Sequence, residues 1–412
     1  MIKGLILGST FTSATIARQP IFDINLNTYA YELLYRGELR LIDTSLADEL
    51  GDSATNQVLN NAFVDIGIEN VVGKHIAFIN MTRSLLIKGD PLPFMTEQVV
   101  LEILEDIVAD HDVIAAVEKL VQQGYKIALD DFIFDESLRP LIKLADIIKI
   151  DILALSSEEL EQHVSLLKQE NVKLLAEKVE TKQQYEQCKA LGFDYFQGYF
   201  FSKPDLVEDD SPLPGSQLNT LKLIGVLQNP NADIDEIENL ISLDVSLSYK
   251  LLKLLNSAAF SLPKEIESIK QGLVLLGLKA IKSWATLIAL HSINSAPAEL
   301  MSLTLIRAKM CSIIAPYFNA ETDIGFTVGL FSTIEAMLQH PANTLLENLP
   351  LSSSVKQAVL TQQGDLGKML KIVMLYEQGL WDNISTSFID IEQLDAAYID
   401  ATKWAIDTHL ST

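Results

Sequence analysis

The feature that most constrains this chain is a change of hydrophobic period near residue 203. Before it, apolar runs of strand length recur: AFINM (77–81), VVLEIL (99–104), KIALDDF (126–132), IIKIDIL (147–153), VKLLAEKV (172–179) and FDYFQGYFF (193–201). Amphipathic stretches separate several of them. One, HDVIAAVEKLVQQG (111–124), has helical spacing and ends on Gly124, placed as a C-terminal cap. Repeated strand–helix–strand units predict a parallel sheet, and this many predict an α/β barrel of the TIM type. In such a barrel, functional side chains collect at the C-terminal ends of the strands.

The acidic, Pro- and Ser-containing segment KPDLVEDDSPLPGSQ (203–217) reads as an interdomain linker. Beyond it the period is helical in LNTLKLIGVLQ (218–228), DIDEIENLISL (233–243), VSLSYKLLKLLNSAAF (245–260) and SIKQGLVLLGLKAIKSWATLIALHSI (268–293). The expected division is a barrel domain over 1–204, a linker over 205–217 and an all-α domain over 218–412. A chain of 412 residues exceeds one ordinary core and suits two.

Composition narrows the function classes. The chain is 48% apolar and 21% charged, as globular proteins are. A formal charge of −24 argues against a nucleic-acid surface, which needs clustered Lys and Arg, and is compatible with divalent cations. Cys188 and Cys311 lie far apart, so no disulfide framework is expected and a reducing, cytoplasmic setting fits. The N-terminal MIKGLILGSTFTSATIA is interrupted by Gly, Ser and Thr and reads as a tail leading into the first strand. No run approaches the ~20 apolar residues of a membrane span. The amphipathic stretch 390–410 has an acidic polar face, so a membrane partner is not expected.

Polar residues at the ends of the apolar runs carry the chemistry. They are Glu32 in YELLYR, Asn80 in AFIN, Glu102 in LEIL, Asp130 and Asp131 in KIALDD, Lys149 in IKID, Glu177 and Glu180 in AEKVE, and Gln197. Mg²⁺ and similar hard cations prefer such oxygen ligands. Two metals about 4 Å apart can activate a water and stabilise a leaving oxygen in phosphodiester hydrolysis, and a nearby lysine neutralises developing phosphate charge. Singly, a strand-end Glu is usually solvated or capping, and Asp130–Asp131 reads equally as a turn or N-cap. The ordered set is what carries weight.

From Ala17 to Pro204 that set resembles the EAL family of cyclic-di-GMP phosphodiesterases. RQPIFD resembles the family's opening QPI strand, and ELLYR stands at its EALxR signature, keeping Glu32 and Arg36. FINMT resembles the VNLS-type strand. LEILE matches LExxE, with Glu105 as its loop-supporting glutamate. DDF keeps both aspartates, IKID the lysine, AEKVE resembles AEGVE, and QGYFFSKP is close to the closing motif. The resemblance implies a two-metal site for Mg²⁺ or Mn²⁺, with Glu32, Asn80, Glu102, Asp130 and Asp131 as ligands. Lys149, Glu177, Glu180, Gln197 and Asp131 would place the second ion and the attacking water. Arg36 and Gln19 would contact the substrate, cyclic di-GMP, and the product would be linear pGpG.

Two departures stand out. DDFIFDESLRPL replaces the glycine-containing DDFGTGYSSL loop, which supports the family's metal site and its homodimer contact, and Lys178 replaces the Gly of AEGVE. Catalysis depends on such support. A catalytically silent receptor for the dinucleotide, or an interaction scaffold, is therefore the alternative to an active phosphodiesterase.

Residues 227–290 resemble the HDOD family in the NPNAD turn, the LLKLLNSA helix and the SIKQGLVLLGLKAI helix pair. HDOD domains resemble HD-type phosphohydrolases without their metal ligands. Here GLFSTIE puts Ser332 and Thr333 at the His-Asp positions, and LIRAKMCSIIA (305–315) offers no His. His111-Asp112 reads as a helix start and His291 as a core-edge residue. Trp284 reads as core, with Trp381 and Trp404 anchoring C-terminal helices. The resemblance implies a regulatory or interaction module with an unidentified protein partner.

Overall fold

Period-two alternation of apolar residues closes the first part of the chain into a barrel. The computed structural model describes residues 15–36, 67–88, 92, 94–105, 107–133, 135–198, 224–227, 229, 233–243, 245–256, 266, 268–293, 298–338, 340–347 and 349–409. Of the expected N-terminal tail (1–17), residues 1–14 lie outside the described residues and 15–17 already belong to the first strand; the linker (205–217) and the side chains of Arg36 and His291 also lie outside the described residues.

The strands are β1 (Thr15–Asp23), β2 (Thr28–Arg36), β3 (Ile76–Met81), β4 (Val99–Ile103), β5 (Lys126–Leu129), β6 (Ile147–Asp151), β7 (Lys173–Glu177) and β8 (Tyr195–Phe196). They form a closed barrel in chain order. β2 to β8 are parallel, but β1 is antiparallel to both β2 and β8, which departs from the all-parallel expectation. The cause is local. Only a short turn joins β1 to β2, and parallel strands need a crossover of a dozen or more residues. Asp23 builds that turn by accepting from the backbone N–H of Asn25 and Asn27, both at 2.8 Å.

The helices between strands start on side-chain caps. Asp110 accepts from the backbone of Asp112 and Val113 at the start of helix His111–Gln122, so the His111-Asp112 pair does open a helix. Ser156 with Glu159, and Thr181 with Gln184, form capping boxes for helices Ser157–Leu167 and Lys182–Leu191. Their apolar faces bury Val113, Val117, Leu160 and Val164 against outward-facing strand residues such as Leu33, Ile79, Leu101 and Ile148.

From Ile234 onward the described elements are helical. The LGLK segment breaks at Gly277, giving helices Ile269–Leu276 and Leu278–Ile293. Helix Ala298–Ile314 lies against helix Thr322–Phe331 so closely that a Cβ on Gly329 would fall 2.5 Å from the Ala308 Cα. Trp284 is buried, and its ring lies 5.1 Å from that of Trp404, which ties helix Ile391–His409 into this core.

The two parts share a buried seam along β1. Ile16 packs in the barrel's outer core and Ala17 in the helical core. Arg18, 7% exposed, donates to the Val71 carbonyl and, at 2.8 Å, to Ser302 Oγ, and its guanidinium lies over the Tyr31 ring. Tyr31 Oη donates to Glu299 at 2.5 Å. Thr15 Oγ1 and Tyr376 Oη both donate to Asp395, at 3.2 and 2.6 Å. Among the described residues no helix is long and apolar enough to cross a membrane.

Candidate active site

The site follows from the pleat of the strands. Ile21, Ala30, Phe78, Val100, Ala128, Ile147 and Leu175 form an apolar layer inside the barrel. Successive residues of a strand point to opposite faces, so the next interior position lies two residues on. On β2 to β7 those positions are Glu32, Asn80, Glu102, Asp130, Lys149 and Glu177. Tyr195, packed against the layer, leads likewise to Gln197. On β1, which runs the other way, the position is Gln19, two residues before Ile21 and in register with Glu32. Asn80 is the register partner of Glu102.

Lys149 stands at the centre and is fully buried. Its Nζ lies 2.6 Å from Asp130 Oδ1, 2.8 Å from Glu102 Oε1, 3.0 Å from Glu177 Oε1 and 3.3 Å from Glu32 Oε2. Gln197 Nε2 donates to Glu32 Oε2 at 2.7 Å. Burial opposes charge on Lys149, but Glu102, Glu32, Glu177 and Asp130 outweigh it and hold the ammonium well above its ordinary range. Burial pushes Glu102 well above the usual carboxylate range, with Lys149 offsetting only part. Glu177 is pushed up to about 8, chiefly by burial, despite Lys149 and aided by Asp130 and Glu32.

Acceptors outnumber donors. Glu102 Oε2, Glu177 Oε2, Asp131 Oδ1 and Gln197 Oε1 are buried and accept no hydrogen bond from the described residues, while Glu102 Oε1 and Asp130 Oδ1 meet Lys149 as ion pairs. Among the described residues no three carboxylate, thiol or imidazole side chains are gathered as a ready-made metal cage. The Lys149 ammonium occupies the point on which the carboxylates converge. Buried acceptors without donors around one lysine are the chemistry a hard cation satisfies, so the residues fit divalent ions.

Around this centre the expected residues separate. Asp131 does not touch Lys149. Its backbone is left-handed, φ 38°, and its Oδ2 lies 3.7 Å from Lys178 Nζ. Lys178 is also left-handed, φ 57°, and its ammonium pairs with Asp151 at the end of β6. Such backbone at a non-glycine residue costs about 1–3 kcal/mol and clusters at functional sites. Gly198 (φ 151°) lies so close to Val179 that a Cβ would come within 2.3 Å of its backbone, which sets Gln197 against β7. Glu180 and Glu105 are exposed at the rim. Asp151 was not among the expected site residues, although it lies two residues after Lys149 in IKID.

The loop after Asp131 ties itself down without glycine. The Phe132 N–H donates to the Lys149 carbonyl at 3.0 Å, and Phe132 is buried. Asp135 accepts from the Ser137 N–H at 2.7 Å, and Arg139 bridges Glu136 and Glu170, each at 2.6 Å.

In the helical part, the residues at the His-Asp positions are engaged with neighbours. Thr333 Oγ1 lies 2.8 Å from Thr304 Oγ1, and Arg307 donates to Ser332 Oγ at 3.2 Å. Arg307 also donates twice to Glu377, from Nε at 2.9 Å and Nη2 at 2.7 Å, in a buried ion pair. Burial pushes the Glu377 carboxyl up against the pull of Arg307. A cavity of about 120 Å³ separates this pair from Gln19, Leu34 and Gly198 of the barrel.

A closed barrel with a lysine–carboxylate layer at its mouth, joined along β1 to a helical domain, defines a two-part protein of the EAL-barrel and HDOD-helix class. The EAL domain model matches residues 17–204 and the HDOD domain model residues 213–340. The chain is 34% identical over 406 residues to "Uncharacterized protein YuxH" of Bacillus subtilis (strain 168), covering 94% of this chain and 97% of YuxH. It is 32% identical over 407 residues to "Cyclic di-GMP phosphodiesterase CdgJ" of Vibrio cholerae, covering 97% of this chain and 94% of CdgJ. It belongs to the family of EAL–HDOD proteins that these two represent. Among solved structures, a standalone EAL protein from Vibrio cholerae O395 in its c-di-GMP-bound form aligns at 23% identity with a TM-score of 0.37. That alignment covers 47% of this chain and 93% of that one.

Proposed function

We propose that the barrel binds cyclic di-GMP and hydrolyses one of its phosphodiester bonds to give linear pGpG, using two divalent cations, Mg²⁺ or Mn²⁺. The observation that carries this reading is the convergence of Glu32, Glu102, Asp130 and Glu177 on one buried lysine, with acceptor oxygens left over. Glu32, Asn80, Glu102, Asp130 and Asp131 would hold the cations, which when bound would acidify a water and screen phosphate charge. Lys149 fixes the carboxylates and offsets negative charge as the phosphate enters. Gln197 orients Glu32. Arg36, at the end of β2, and Gln19 are the substrate contacts in this reading, and Arg36 carries the forked donors that suit a phosphate. The name of CdgJ supports the same chemistry.

The helical domain is a regulatory and interaction module with a protein partner. Its buried seam with β1 supports this, because any shift of helix Ala298–Ile314 or Ile391–His409 bears on the strand that carries Gln19. Exposed Ile133 and Leu153, on loops beside the site, support a homodimer contact. The receptor reading has its own observation: the Lys178 ammonium lies where the outer aspartates would meet a cation.

Parallel measurement of equilibrium binding and of linear product, with cyclic di-GMP and Mn²⁺, separates the two. Product formation supports the phosphodiesterase. Binding alone leaves the receptor, and neither refutes both.

A further inference from the structure

We infer that Lys178 is a built-in competitor for one of the two cations, an ammonium that takes up the charge of Asp131 and Asp151 and so weakens the outer metal position. The inference rests on the reading of the Lys149 cluster as a divalent-cation site.

Three observations converge. The carboxylates at the mouth divide into two groups: Glu32, Glu102, Asp130 and Glu177 face Lys149, whereas Asp131 and Asp151 face Lys178. Lys178 follows β7, Asp131 follows β5 and Asp151 ends β6, so one side chain spans three neighbouring strand ends. Lys178 also holds a left-handed backbone that glycine adopts without strain, and it pairs with a residue, Asp131, held the same way. Two non-glycine residues keep this conformation while their side chains meet across the site. The strain is retained together with the contact, as expected where position matters more than local comfort.

The consequence is electrostatic. A divalent ion approaching Asp131 meets an ammonium already 3.7 Å from that carboxylate. It must displace a half-exposed lysine or bind beside it, and either lowers affinity. Removing the charge should tighten the weaker cation roughly tenfold, the scale of one unit charge acting on a divalent ion at a partly solvated site. The inner position, walled by Lys149, should be indifferent.

The test is Mn²⁺ binding by the full chain without nucleotide, followed by the electron paramagnetic resonance of free Mn²⁺ and by calorimetry. Lys178→Gly removes both charge and strain. Lys178→Asn removes the charge with a residue that tolerates the left-handed backbone, and Lys178→Arg keeps the charge. The expected result is a weaker second Mn²⁺ that tightens roughly tenfold in the Gly and Asn variants and not in the Arg variant, with the tighter ion unchanged. Identical isotherms in all four proteins would overturn the inference and leave the cluster reading standing. Tightening in Gly but not in Asn would also overturn it, because relief of strain and not charge would be the cause. Absence of Mn²⁺ binding in every protein would overturn the cluster reading and this inference with it.

Discussion

Lys149 Nζ lies 2.8 Å from Glu102, a carboxylate with no exposure to solvent, and each residue sits two places beyond an apolar side chain of the barrel interior. A charge so buried is tolerated only with a partner. The pair, with three more carboxylates around it, makes the mouth of the barrel a place where removing one cation should call for another.

Lys149→Met should therefore destabilise the metal-free protein by about 3–5 kcal/mol, the usual cost of orphaning a buried ion pair. Mn²⁺ should restore a large part of the loss. Urea unfolding of both proteins in chelator and in Mn²⁺ checks this, and a Mn²⁺-insensitive loss would contradict it.

The same cluster gives a pH dependence with a definite sign. Glu177 is held at about 8, above its ordinary value of 4.5, so the fold favours its protonated form. That contribution is present below about pH 4.5 and is lost as pH rises through about 8. In chelator, stability should fall between pH 5 and 8.5, and Glu177→Gln should flatten the slope. With a divalent ion bound the slope should reverse, because the carboxylate is the form that binds. Unfolding midpoints over this range measure each case.

At the seam, Arg18→Ala should cost about 3–5 kcal/mol, since it strips the cation from beside half-buried Glu299 and leaves the acceptor groups of Val71 and Ser302 without their donor. Glu299→Gln should cost far less, because burial already pushes that carboxyl up and an amide oxygen can still accept from Tyr31. Unfolding midpoints of the two variants, with limited proteolysis to locate the opening, check the order.

Arg307→Leu should cost about 3–5 kcal/mol by leaving Glu377 buried and unpaired, whereas the double variant Arg307→Leu/Glu377→Leu should recover most of it. A double-mutant cycle measures the coupling. Additive losses would contradict the pairing.

The site was legible in the sequence where a period-two strand carries the residue type and its position together, as in LEIL, IKID and LLAE. The barrel and the helical second part followed from hydrophobic period in the same way. The antiparallel β1 was not foreseen, although the DINLNT turn is too short for a crossover and held the signal. Lys178 stood out as a substitution for glycine, but its pairing with Asp131 and Asp151 depends on three strand ends meeting in space. Glu180, whose role the resemblance of AEKVE implied, lies exposed at the rim. The seam left no local trace, because Thr15 and Asp395 are 380 residues apart. The Arg307–Glu377 pair likewise joins residues 70 apart in a sequence whose period reports only helices.

The most direct measurement is the rate of linear pGpG formation from cyclic di-GMP at saturating Mn²⁺, for this chain and for its Glu32→Ala variant. The unaltered protein should turn over, and the variant should lose at least about 100-fold, the scale of removing one preorganised electrostatic group. Equal turnover in both proteins, or none in the unaltered one with Mn²⁺ bound, would contradict the phosphodiesterase reading.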